Sequence, residues 1–246
     1  MIIGERSWSR IFDEERTFAE VVRGLLRSGA VSVLGVTGQA GAGKTNYLTP
    51  LVLQIAQDAG FAVADLPLDA FFKLSSAQRK RWLQEGERIS SAEGAQRRNQ
   101  LLWWDFVQAQ GAVATLKRGD QIHLTHVYNR RNRGELTGEI LIEPPAAGML
   151  VALDGVAICH LEGLDALMYV HAAAEVRFGH LVKRDLHRNG EEARQRFELT
   201  EAFERDYFPR YWERIQLHVD NNVDRPRMLP PMHHAVVFGA SSVSLT

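Results

Sequence analysis

The chain has 246 residues, 45% hydrophobic and 24% charged, with a formal net charge of −1. That balance is globular and argues against a protein that binds nucleic acid or a membrane surface by bulk charge. The single cysteine, Cys159, excludes an internal disulfide, and it is expected to be a small buried residue beside a strand end.

Met1 to Arg10 has no apolar stretch of the secretory kind, and no apolar run approaches the ~18 residues of a membrane span. The expectation is therefore one soluble cytoplasmic domain over residues 1–246, with no nucleic-acid or membrane partner. A homo-oligomer is compatible with the sequence, which does not specify one.

In chain order, Ile11–Leu26 reads as an amphipathic helix ending before Gly29, so that residues 1–29 form an N-terminal helical segment. Ala30–Val36 is β-rich and nearly all apolar, as suits a central parallel strand buried on both faces. A glycine-rich turn leads into a helix over about Lys44–Ala59, with apolar residues at helical spacing and a kink expected at Pro50. Phe61–Leu68 reads as a second strand, Ser75–Leu83 and Asn99–Leu116 as helices. Gln121–Tyr128 and Glu139–Ile142 can pair as a hairpin insertion (121–142) around the basic stretch Asn129–Gly138. Met149–Leu153, Ala166–Val170 and Gln216–Val219 read as further core strands, and Ala174–Arg188 and Glu191–Tyr211 as helices. Strands alternating with helices imply an α/β fold, a parallel sheet covered by helices on both faces.

Gly38-Gln39-Ala40-Gly41-Ala42-Gly43-Lys44-Thr45 matches GxxxxGK[ST] and stands between a buried strand and a helix, the context the motif needs. Glycines let successive backbone N–H groups turn inward around a phosphate, and the helix N-terminus adds partial positive charge there. This P-loop predicts a P-loop NTPase-type sheet and ATP with Mg²⁺ as cofactors. Lys44 would reach the β and γ phosphates, and the Thr45 hydroxyl would ligate the metal. Asn221-Asn222-Val223-Asp224 lacks the lysine of the guanine-reading NKxD element.

Four later segments resemble the uridine kinase, phosphoribulokinase and pantothenate kinase group. Leu68-Asp69-Ala70-Phe71-Phe72 is similar to its LDDFY segment, which would make Asp69 the base or orienter of the acceptor hydroxyl; a turn or capping aspartate is the other reading. Trp104-Asp105-Phe106 resembles the FD stretch, so Asp105 would hold the acceptor. Val151–Gly155 stands where the group has a strand ending in EG, which places Asp154 beside Thr45 at the metal. Val176–Asp185 resembles the lid helix ending in RD, giving a lid region over 174–196.

At about 100° per residue, Arg177, His180, Arg184 and Arg188 share one helical stripe. The resemblance assigns Arg184 to catalysis, Arg188 to ATP, and Arg177 and His180 to the substrate. A solvated basic face is the alternative. Ala70, Phe72 and His180 depart from the group's pattern. The stretch Tyr128–Arg133 lacks a histidine that uridine kinases carry there, which puts uridine in doubt. Tyr128 and Arg130 are nevertheless candidates for the substrate site, with a solvated loop as the other reading. His233 and His234 have no third ligand at metal spacing.

The resemblance implies an ATP-dependent transfer of phosphoryl to a hydroxyl of a small metabolite. An ATPase switch acting on a protein partner is the competing class.

Overall fold

In the computed structural model the residues described are 17–184, 190–222, 226–230, 232 and 237. Of the predicted N-terminal helix they include α1 (Phe18–Gly24), opened by a capping box. Thr17 Oγ1 accepts from the Glu20 N–H at 3.3 Å, and Glu20 takes the Thr17 N–H at 2.7 Å.

Strand β1 (Val31–Gly38) is buried along its whole length. It lies between β5 (Met149–Asp154) and β6 (Ala166–His171), parallel to both. β2 (Ala62–Asp65) extends the sheet beside β5, and β7 (Leu217–Asp220) extends it beside β6, again in parallel. The order is β2-β5-β1-β6-β7-β8. The last strand, β8 (Arg227–Leu229), runs antiparallel to β7 and was not anticipated. Three residues carry too little periodicity to read as a strand.

The two sheet faces bury different side chains. On one, Val33, Val151, Leu153, Leu167 and Tyr169 pack with α5 (Phe106–Lys117) and α7 (Gly190–Tyr211). On the other, Leu34, Val36, Leu150, Met168 and Val219 pack with α1 and α2 (Thr49–Asp58). This is the predicted layering.

Several boundaries differ from expectation. The helix after the P-loop opens as a π-helical turn over Lys44–Leu48, and α2 starts only at Thr49 with Pro50 in its first turn. Proline has no N–H for the carbonyl four residues back, and the wider turn lets the Leu48 N–H reach Gly43 O at 3.0 Å. The irregularity thus precedes Pro50.

The polar segment after β2 holds two helices, α3 (Ser76–Ile89) and α4 (Ser91–Arg98), where one short helix was expected. Arg97 ties them, donating to Glu93 at 2.6 Å and to the Trp82 carbonyl at 2.7 Å.

The predicted hairpin forms from β3 (Ile122–Asn129) and β4 (Glu135–Ile142). Its basic connection is tighter than expected: Gly134 N–H closes on Asn129 O at 2.9 Å, and the Gly134 carbonyl takes the Ser76 N–H at 2.9 Å. The helix expected to be a lid is α6 (Ala174–Arg184).

Candidate active site

The P-loop leaves the C-terminal edge of β1, where open α/β sheets bind ligands. Gly41 (φ +81°) and Gly43 (φ +93°) lie in the left-handed region, and a Cβ at Gly41 would stand 2.3 Å from the Arg177 carbonyl oxygen. Glycine is needed there for conformation and for space. The buried Lys44 ammonium donates to Gly38 O at 2.7 Å and Gln39 O at 2.9 Å, so it is held over the loop.

Thr45 donates its hydroxyl proton to Asp154, which ends β5 and is almost wholly buried. Burial pushes the Asp154 carboxyl up, the Thr45 bond opposes this, and the negative charge of Asp69 adds to the rise, while Lys44 and Arg130 lower it. A buried, destabilised carboxylate next to a hydroxyl is a pair of hard oxygen donors that a cation would relieve. Among the described residues no cluster of three or more His, Cys, Asp or Glu is arranged to hold a metal. Mg²⁺ suits this sparse set, because it is usually bound by one or two carboxylates, water and substrate phosphates.

Asp69 sits in a 3₁₀ turn (Leu68–Phe71) beyond β2 and accepts from Arg130 Nη2 at 2.5 Å. Arg130 follows β3, so this ion pair clips the hairpin onto the turn that carries Asp69. Tyr128 shares a hydrogen bond of 2.8 Å with Ser76 and packs edge-on against Phe72, ring centroids 4.9 Å apart. Asp105 is joined to the same turn through its N–H, which reaches Phe71 O at 2.8 Å. One of its carboxylate oxygens caps α5 by accepting from the Gln108 N–H at 2.9 Å, which leaves the other available. Asp69 and Arg130 thus lie near enough for their charges to act on Asp154, which is bonded to Thr45 of the P-loop.

The lid stripe is divided. Arg177 turns inward: it is buried and donates to Glu201 of α7 at 2.6 Å and to Ala172 O at 3.2 Å. His180 Nδ1 contacts Gly41 O at 2.8 Å, which puts the lid helix against the P-loop backbone. Arg184 ends α6. Arg188 and Asp185 lie outside the described residues, as do residues 223–225, His233 and His234.

Two site residues were missed. Asp65 ends β2, and its carboxyl is pushed up to about 7 by desolvation and then by the charge of Asp154. Its side chain is open to solvent at the rim, so water screens much of that rise. Its position at a strand's C-terminal end was the available signal.

The other is Glu204 on α7. It is fully buried, accepts from the P-loop Ala40 N–H at 2.5 Å, and burial pushes its carboxyl up to about 7. A glutamate inside a charged helix over 160 residues from the loop gives no local sign of this contact. Cys159 is buried as expected, its thiol pushed up to about 12 by burial.

A mainly parallel sheet with helices on both faces and the glycine-rich loop at its central strand is a fold shared with solved kinases. Comparison with solved structures places three kinases on this fold. A candidate fructose transport system kinase from Silicibacter sp. TM1040 matches with a TM-score of 0.57 at 16% identity, covering 77% of this chain and 94% of that one. Phosphoribulokinase from Rhodobacter spheroides matches at 0.58 and 13% identity, over 78% and 71%. D-glycerate 3-kinase from Cryptococcus neoformans var. grubii matches at 0.51 and 12% identity, over 91% and 98%. No family model and no curated protein matches the sequence. No described helix is long and apolar enough to cross a membrane.

Proposed function

We propose that the chain is an ATP-dependent kinase that transfers the γ-phosphoryl group to a hydroxyl of a small metabolite. The observation that carries this reading is the pairing, across the C-terminal edge of the sheet, of the Lys44–Thr45–Asp154 set with the separate carboxylate of Asp69. A hydrolase needs only the first; a second acid held next to it by Arg130 suits an acceptor hydroxyl.

ATP would lie with its phosphates on the loop 38–45 and Lys44. Thr45 and Asp154 would hold Mg²⁺, which supplies charge neutralisation on the phosphates when bound. Asp69 would accept or orient the acceptor's hydroxyl proton, and Arg130 keeps that carboxylate aimed. Asp105 and Tyr128 would bind the rest of the acceptor. His180, Arg184 and Arg188 of the lid would approach the transferring phosphoryl group, and Arg177 would act from below by fixing the lid helix to α7.

The kinases that share the fold act, by their names, on fructose transport, phosphoribulose and glycerate chemistry. They support an alcohol acceptor and leave its identity open. The test is ADP release from MgATP with nucleosides, pantothenate, glycerate, free sugars and sugar phosphates offered one at a time. Stimulation by one class supports the kinase; steady hydrolysis that none of them changes, but a protein does, supports an ATPase switch.

A further inference from the structure

Arg79 of α3 is a buried cation without an acid. It is 6% exposed, its Nη1 has no hydrogen-bond partner, and no carboxylate of the described residues pairs with it. Its polar partner is a side-chain hydrogen bond with Tyr128, and aromatic rings cover the rest: the guanidinium carbon lies 3.9 Å from the Phe72 ring centre, 5.3 Å from that of Trp103 and 5.7 Å from that of Tyr128. Such rings screen a cation through their faces, but they do not replace an anion for the five N–H donors of a guanidinium. Asp69, whose charge reaches Arg79, is itself bound to Arg130. A buried guanidinium left in this state is costly unless something pairs with it.

Arg79 also lines a cavity of about 240 Å³, whose other walls are Lys73, Leu74, Trp82, Leu102 and Trp103. Lys73 is exposed, and no acidic residue lines the cavity. Phe72 and Tyr128, which cover Arg79, also pack against each other beside the turn that carries Asp69.

We propose that this cavity receives the anionic end of the acceptor, a carboxylate or a phosphate monoester, with Arg79 as its receptor and Lys73 adding positive charge. This rests on the kinase reading and narrows it: the acceptor is a hydroxy acid or a sugar phosphate, and neutral nucleosides and free sugars are rejected. The apolar walls hold the carbon chain, and the charge selects.

The test is thermal unfolding of the full chain with MgADP present to fill the P-loop. Glycerate, glycerol 3-phosphate and glycerol are added in turn at matched ionic strength. The expected result is a saturable rise in Tm with one or both anions and none with glycerol; the larger anion response tells carboxylate from phosphate. Arg79→Met should lose the anion response, keep the MgADP response, and unfold no lower than the wild type without anion, because it removes a buried charge. Arg79→Lys, which keeps charge but not the fork, should bind the anion at least tenfold more weakly.

An anion response that survives in Arg79→Met overturns the proposal, as does a wild-type response equal for glycerol and the anions. So does an Arg79→Met protein that fails to fold, since Arg79 would then be structural. If MgADP itself gives no shift while the anions still do, the kinase reading fails and the anion site stands.

Discussion

At the scale of single residues, the sequence was most informative where chemistry and backbone demand coincide. Lys44 and Thr45 were legible because the loop's glycines, the ammonium and the hydroxyl are all required at fixed spacing. Removing the ammonium in Lys44→Ala should lower kcat/KM for ATP by at least 10³-fold, measured by ADP release with the active acceptor. Glu204 was illegible, since its role depends on α7 crossing the P-loop. Its raised carboxyl has a consequence for stability. The folded chain holds a proton there that the unfolded chain releases above pH 4.5, so stability is fully present below that pH and declines towards pH 7. Glu204→Gln keeps an oxygen to accept the Ala40 N–H but cannot ionise. Relative to the wild type it should gain stability progressively as the pH rises from 5 to 8. Parallel urea-denaturation profiles for the two proteins across that range would refute the assignment.

At the scale of elements, β1, β5, β6 and β7 were found to within two residues at each end, because a strand buried on both faces is an uninterrupted apolar run; β2, only partly buried, is half the length expected, Ala62–Asp65 rather than Phe61–Leu68. The polar stretch 84–98 was not found. Its helices are held by Arg97 and by close approach at Gly86 and Gly94, where an added Cβ would fall 2.6 Å from Arg97 Cδ and 2.7 Å from Glu87 Cδ. Neither feature leaves an apolar period. In α6, periodicity put Arg177 and His180 on one stripe, but it could not say that Arg177 would be drawn inward by Glu201 and Glu204 while His180 stays exposed. Arg177→Met leaves the Glu201 carboxylate, 2.6 Å from Arg177 Nη2, without its cation and should destabilise the chain by roughly 3 kcal/mol, seen as a lower urea midpoint. A change below about 0.5 kcal/mol would return Arg177 to the role of a surface charge.

At the scale of the whole molecule, the two halves of the proposed site meet at the edge of one sheet. The P-loop, Thr45 and Asp154 come from β1, β5 and the π-helical turn that precedes α2. Asp69, Tyr128 and Arg130 come from a turn and a hairpin that the fold lays beside them, fixed by the Arg130–Asp69 pair. The order of motifs along the chain anticipated this arrangement; the pairings that rigidify it join residues 61 positions apart in one case and 164 in another, beyond any local pattern. The central claim is that the second half exists to receive a hydroxyl. Its most direct test is transfer of label from [γ-³²P]ATP into the acceptor that most stimulates ADP release, by wild type and by Asp69→Asn. The account predicts labelled acceptor with the wild type and a loss of at least 10²-fold in transfer with Asp69→Asn, while ATP binding is kept. Label released only as inorganic phosphate by the wild type, or full transfer by Asp69→Asn, would contradict it.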